Sequence, residues 1–160
     1  MRALGNNQEW TDFSVGVTEQ EFESLQITIN KQFSYNGWFV KENVKNSLLS
    51  LGNELTEERL SNWAKSYAYS NNPKKVAVIM AGNIPLVGFH DFLSALISGH
   101  HVVAKLSSDD ATLLPKLAEH LVEFTPNLKS RIRKGANKIG MNLIQIFTIF
   151  AQMIWIKKLR

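Results

Sequence analysis

The sequence predicts an α/β protein, in which an N-terminal layer of helices precedes an incomplete parallel sheet and an atypical helix ends the chain. Two observations lead to this fold class. Apolar residues recur at helical spacing before residue 70, and two short apolar runs rich in β-branched residues follow, each succeeded by a helical pattern. This order is typical of parallel strands joined by right-handed crossovers. We therefore divide the chain into a helical region (1–70), a partial α/β unit (71–132) and an atypical basic, apolar tail (133–160).

Three helices are predicted in the helical region. The first covers about 19–33 and begins behind Thr18, whose spacing to Glu21 is that of a capping box. The second ends at Gly52, which offers the left-handed conformation that closes helices. Thr56 caps the third. The apolar positions at helical spacing are Phe22, Leu25, Ile29 and Phe33, then Val44, Leu48 and Leu51, then Leu60, Trp63, Ala64 and Tyr67.

Two strands are predicted in the α/β unit. Residues 75–80 and 101–105 are short apolar runs, as expected of strands that are buried on both faces. A turn over 81–85 connects the first strand to a helix over 86–98, which Gly99 closes. With only two strands the sheet keeps an open edge, and we expect poor solubility.

A second helix of this unit follows Ser107-Ser108-Asp109-Asp110 and ends near Phe124. Pro115 would kink this helix unless Thr112 caps it and places the proline in the first turn.

Composition excludes several classes of site. The 160 residues contain no cysteine, which excludes disulfides, thiolate metal sites and a cysteine nucleophile. All 14 acidic residues lie within 1–128, so the net charge of +4 comes from the tail. Because the body is net acidic, no nucleic-acid partner is predicted, and Trp10, Trp38 and Trp63 are expected to anchor the helical layer. No signal peptide is visible, so we expect a cytoplasmic protein.

Familiar cofactor and metal motifs are missing from the sequence. There is no glycine-rich phosphate fingerprint of the G-x-G-x-x-G or Walker type, so a nucleotide would have to be held differently from the usual Rossmann arrangement. The histidines His90, His100, His101 and His120 show no metal-ligand spacing, and no metal site is predicted.

Candidate binding residues follow both predicted strands, where ligands of parallel sheets bind. After the first strand, Gly82 permits close backbone approach and Asn83 offers a neutral amide donor that could stabilise an oxyanion. After the second strand, Lys105, Ser107 and Ser108 could hold a ribose or a phosphate.

A structural interpretation of the same residues stays open. In that interpretation Asn83 is a turn residue and Pro85 is the first residue of the following helix. Lys105 is then a solvated side chain, followed by a serine that caps the next helix.

The segment from Val76 to Asp110 resembles the nucleotide-binding half of the acyl-CoA reductases of the LuxC type, a branch of the aldehyde dehydrogenase superfamily. The stretches AGNIPLVGFHDFL, ISGH and KLSSDD stand in the order and spacing of that family. The resemblance covers about 30–132, and it implies a Rossmann-like sheet of the aldehyde dehydrogenase type.

The resemblance also implies an activity, the reduction of a fatty acyl-CoA or other acyl thioester to an aldehyde with NADPH through an acyl-cysteine intermediate. Asn83 falls at the position of the oxyanion-hole asparagine, and Lys105 at that of the lysine that binds the adenosine ribose, beside Gly82 and Ser107. Ser108 replaces a glutamate that repels a 2′-phosphate in NAD-preferring relatives, which leaves room for NADPH.

The family's catalytic cysteine has no counterpart in this chain. We therefore expect an N-terminal, truncated portion of a reductase that does not turn over alone. The alternative is a membrane-associated interaction module that uses the apolar tail.

The tail itself has three interpretations. Residues 129–160 hold 8 basic residues and no acidic one, and 139–156 are uncharged. The tail is the product of a changed reading frame, an amphipathic helix with a polar stripe, or a membrane span with a positive flank.

Overall fold

The computed structural model describes residues 1–6, 9 and 17–135. The helices are, in chain order, α1 (Arg2–Gly5), α2 (Glu19–Asn30), α3 (Gln32–Tyr35), α4 (Lys41–Glu54), α5 (Glu57–Ala64), α6 (Phe89–Ile97) and α7 (Leu113–Phe124), with a 3-10 helix at Pro126–Ser130. The strands are β1 (Lys75–Ile79), β2 (His101–Lys105) and β3 (Ile132–Lys134). The predicted C-terminal helix lies outside the described residues.

The three strands form one open parallel sheet in the order β1-β2-β3. Val78 pairs with Ala104 across β1 and β2, and Val102 pairs with Ile132 across β2 and β3. The predicted α/β fold class with an incomplete parallel sheet is confirmed. The prediction of only two strands is wrong, because β3 has three residues, two of them basic, and so shows no apolar run.

Helix α2 begins as predicted and ends earlier. The capping box is confirmed, since the backbone N–H of Glu21 donates to Thr18 Oγ1 at 3.3 Å and that of Thr18 donates to Glu21 Oε2 at 2.7 Å. The helix stops at Asn30, and Phe33 is 59% exposed, so its predicted burial is wrong. Gln32 takes the buried position instead.

Helix α4 runs through Gly52, so the prediction that this glycine ends the helix is wrong. A Cβ at Gly52 would lie 2.8 Å from the backbone nitrogen of Arg2, so the glycine serves the close packing of α1 on α4. The predicted cap of α5 is confirmed, because Thr56 Oγ1 accepts from the backbone N–H of Arg59.

The region between β1 and α6 differs from the prediction in two ways. Ile79 is 44% exposed, so β1 is not buried on both faces along its whole length, as expected of a strand at the edge of the sheet. Helix α6 begins at Phe89 behind Gly88, so Pro85 is not its first residue. Gly99 closes α6 with φ +91°, as predicted.

Helix α7 keeps Pro115 in its first turn behind Thr112, the arrangement that avoids a kink. Of the three expected tryptophan anchors, one is contradicted and one is not tested. Trp38 is 78% exposed, which overturns its predicted role, and Trp10 lies outside the described residues. Trp63 is half-buried and contacts the rings of Tyr67 and His90.

Buried apolar side chains from the helical layer and the α/β unit form one shared core. Its fully buried members include Phe39, Val44 and Leu48 from the layer and Phe92, Val102 and Leu113 from the unit. In the part of the chain that the structure describes, no helix has the length and apolar character needed to cross a bilayer. The stretch 139–156 lies outside that part.

Candidate functional site

Two loops meet at the carboxyl edge of the sheet. The first loop (81–88) follows β1 and the second loop (106–112) follows β2. The backbone N–H of Met80 donates to the carbonyl of Lys105 at 3.0 Å, which continues the strand pairing into the loops. The segments that carry the predicted site residues therefore start side by side.

Gly82 allows the two loops to approach each other closely. A Cβ at this position would lie 2.8 Å from Ser107 Cβ and 2.9 Å from Asp109 Cβ, distances that real side chains do not tolerate. The prediction assigned Gly82 to close approach of a ligand. In the structure the neighbour that needs the space is the second loop.

Asn36 connects the two loops from the helical layer. Its side-chain Nδ2 donates to the carbonyl of Gly82 at 2.8 Å and to the carbonyl of Asp109 at 3.3 Å. Its Oδ1 accepts from the backbone N–H of Trp38 at 3.0 Å, and the residue is 9% exposed. Sequence reasoning missed Asn36, because its partners lie 46 and 73 residues further along the chain.

Asp110 fixes the far end of the first loop. Its Oδ2 accepts from the backbone N–H of Leu86 at 3.2 Å. Leu86 has φ +61°, a left-handed conformation that a branched residue rarely adopts without support from its surroundings. Asp110 is buried, and its Oδ1 has no hydrogen-bond partner among the described residues. Burial raises the pKa of Asp110, although the Leu86 hydrogen bond opposes that change.

Among the predicted site residues, Asn83 and Lys105 lie at the surface of this edge. Asn83 is exposed, and its side chain makes no hydrogen bond within the described part of the chain. Lys105 is half-buried at the end of β2, the central strand, and has no acidic partner among the described residues. Both side chains are thus available to a ligand.

The two serines are partly used by their own loop. Ser107 Oγ accepts from the backbone N–H of Asp109 at 3.2 Å, so this hydroxyl closes a local turn. The interpretation that a serine caps the next helix is wrong, because Thr112 holds the N-cap position of α7. The exposed Ser108 donates from Oγ to Asp109 Oδ1 at 3.2 Å. A carboxylate therefore lies directly beside Ser108.

This edge presents a neutral amide from the first loop and a cation from the end of β2. An amide N–H can stabilise a developing oxyanion, and an ammonium group without an acidic partner can bind ribose hydroxyls or a phosphate. No group with metal-ligating spacing includes any residue of these loops, as far as the chain is described. The donor set of Lys105 and the serine hydroxyls fits the polar half of a pyridine nucleotide.

Comparison with known proteins assigns the chain to a family. The family model described as acyl-CoA reductase (LuxC) matches residues 8–134. No curated protein and no solved structure matches the chain. The matched segment contains the helical layer from α2 onwards, both loops and all three strands. Because the match covers well over half of the sequence, this chain belongs to the LuxC family of acyl-CoA reductases.

Proposed function

We propose that this chain forms the nucleotide side of a fatty acyl-CoA reductase, which converts an acyl thioester to an aldehyde with NADPH. The family supports an oxidoreductase that acts on acyl-CoA. The observation that carries the finer proposal is the position of Lys105, a half-buried cation without an acidic partner among the described residues, at the carboxyl edge of a parallel sheet.

The backbone at Lys105 is held in position by the sheet. Its backbone pairs with Ile79 of β1, and its neighbour Ala104 pairs with Lys134 of β3, so the strand is held on both sides. In this proposal its ammonium group donates to the ribose hydroxyls or the phosphate of the adenosine half, and Ser107 and Ser108 lie beside it. The bound nucleotide supplies the hydride that reduces the acyl carbon.

Asn83 has the complementary role in the proposal. Its exposed carboxamide would donate to the thioester oxygen as negative charge develops there. In a well-studied enzyme, removal of one such donor raises the activation free energy by about 3 kcal/mol. The loop that presents it is fixed by Asn36 and Asp110. Since the 160 residues contain no cysteine, we propose that the chain binds nucleotide without forming an acyl-enzyme.

The choice of NADPH depends on Ser108 and its neighbour. A serine at this position carries no charge to repel a 2′-phosphate, which favours NADPH over NADH. Asp109 opposes this preference, because its carboxylate accepts from the Ser108 hydroxyl. Asp110 does not, since its carboxyl group is buried and bonded to Leu86.

Calorimetric titration of the full-length chain with NADPH tests the proposal. Lys105→Ala should weaken binding at least about tenfold, the effect of losing one charge-assisted hydrogen bond. Lys75→Ala is the matched control, because Lys75 is exposed at the first residue of β1, at the opposite edge of the sheet from Lys105. This variant should bind NADPH like the wild type. If Lys105→Ala and the wild type bind NADPH equally, or if neither binds, the assignment is wrong.

A further inference from the structure

A cluster of metal-ligating side chains lies between α2 and α7. Glu21 belongs to the first turn of α2, and His120 and Glu123 belong to the last two turns of α7. One ligand atom from each of the three residues lies within 4.8 Å of the others. The cluster therefore joins the helical layer to the α/β unit at a point that the proposed nucleotide site does not use.

The histidine in this cluster is buried and has a carboxylate beside its Nδ1. His120 Nδ1 lies 2.8 Å from Glu123 Oε2, and the His120 side chain is only 7% exposed. Its Nε2 is buried and has no hydrogen-bond partner among the described residues. A neutral imidazole keeps one lone pair. When Nδ1 carries the proton, it donates to Glu123. When Nε2 carries the proton, the lone pair of Nδ1 faces the carboxylate and can bind a cation placed between them.

The two carboxyl groups have no lysine or arginine beside them in the described part of the chain. Glu21 and Glu123 lie close enough for their side chains to interact, and hydrogen bonds from the Thr18 backbone and side chain lower the pKa of Glu21. Neither glutamate forms an ion pair with a lysine or arginine in the described part of the chain. Two neighbouring carboxylates and an imidazole thus present negative charge and lone pairs to one another.

We propose that Glu21, His120 and Glu123 bind a divalent transition-metal cation, with Zn²⁺ as the best fit. One imidazole nitrogen and two carboxylate oxygens are ligands that Zn²⁺ accepts, and tetrahedral bonds of about 2.1 Å place neighbouring ligand atoms about 3.4 Å apart. The 2.8 Å between His120 Nδ1 and Glu123 Oε2 is shorter than this separation, and the 53% exposed Glu123 side chain has room to move outward and reach it. Bound there, the ion links α2 to α7 and stabilises the packing of the helical layer on the α/β unit.

Zinc titration of the full-length protein without an affinity tag, stripped with a chelator, tests the site. We expect one equivalent to bind and the melting temperature to rise by about 5–10 °C at a hundredfold excess over Kd. Residues 136–160 contain no Asp, Glu, His or Cys, so the tail supplies none of these ligands. Co²⁺ in place of Zn²⁺ should give visible absorption bands from the same site.

Two single substitutions test the glutamate ligands, and a third is the control. Glu123→Gln removes a ligand whose side chain is 53% exposed, and Glu21→Gln removes a ligand while keeping a residue that can complete a capping box. Both should bind Zn²⁺ at least about tenfold more weakly. Glu119→Gln is the matched control on α7, because Glu119 is exposed and interacts with Lys116.

Two results would overturn the proposal. One is that the wild type binds no zinc at a zinc concentration of about 100 μM, which is well above the Kd expected of a structural site. The cluster would then hold no ion, and the hydrogen bond between His120 and Glu123 would be its main contact. The other is an equal affinity of the wild type and both ligand variants, which would place the bound zinc elsewhere.

Discussion

Replacement of Asn36 by alanine tests how the two loops are held together. The substitution removes the hydrogen bonds from Nδ2 to the carbonyls of Gly82 and Asp109, and the bond that Oδ1 accepts from Trp38. Each hydrogen bond contributes about 1 kcal/mol, and Asn36 is 9% exposed, so water only partly replaces its side chain. We expect the free energy of unfolding to fall by about 2–3 kcal/mol.

The matched control for this experiment is Asn43→Ala. Asn43 is exposed and makes one side-chain bond, from Nδ2 to the carbonyl of Trp38 at 3.0 Å. Its loss should cost about 0.5 kcal/mol or less, because water takes the place of the donor. Urea denaturation followed by circular dichroism measures both variants. If the two substitutions cost the same, Asn36 does not connect the loops in the way that the geometry indicates.

Three further substitutions probe the same edge of the sheet. Gly82→Ala places a Cβ 2.8 Å from that of Ser107 and should lower the free energy of unfolding by about 1–3 kcal/mol in urea denaturation. Gly37→Ala, where a Cβ meets nothing within 4 Å, should have little effect, and equal costs would contradict the close approach. Burial raises the pKa of Asp110, so the folded state favours its protonated form, and this stabilisation is lost as the pH rises from about 4 through the raised folded-state pKa. The urea midpoint of the wild type should therefore fall over this pH range more than the urea midpoint of Asp110→Asn. Parallel pH profiles for the variant and the wild type would refute this prediction. Asp109→Asn removes the carboxylate of the second loop and should increase the preference for NADPH over NADH about threefold or more, which titration with both nucleotides measures. An unchanged ratio would show that the carboxylate does not face the cofactor.

The elements that sequence reasoning predicted correctly depend on local spacing. The capping box of Thr18 and Glu21, the cap at Thr56 and the closing turn at Gly99 all involve partners within a few residues. Strand β2 was predicted with its observed bounds, because its apolar run is short and uninterrupted. For such features the sequence contains both partners of the interaction.

The elements that were missed depend on partners distant in the chain. Helical periodicity placed Phe33 in the core, whereas Gln32 is buried and exchanges hydrogen bonds with Thr112, 80 residues away. Glycine is typical of helix ends, but Gly52 lies within α4 and allows Arg2 of α1 to pack closely against it. Spacing alone shows neither interaction, because both are created by the packing of separate elements.

The sequence shows where the candidate site residues lie in the fold, but it does not show which residues hold their loops in place. Asn83 and Lys105 follow strand ends, which a sequence shows directly. The left-handed conformation of Leu86 has no sequence signal, because leucine gives no indication of a positive φ. The backbone N–H of Leu86 donates to the carboxyl group of Asp110 on the other loop, a contact that the sequence does not show.

The two halves of the proposed site therefore differ in how firmly they are held. Lys105 belongs to a central strand whose backbone is paired on both sides, and it keeps its position as long as the sheet exists. Asn83 belongs to a loop whose position depends on a few side-chain contacts, from Asn36, from Asp110 and against Ser107. Local opening follows the weakest set of hydrogen bonds. The first loop should thus exchange its amide hydrogens faster than β2. Conditions that loosen this loop should impair the proposed role of Asn83 before they impair the proposed nucleotide binding at Lys105.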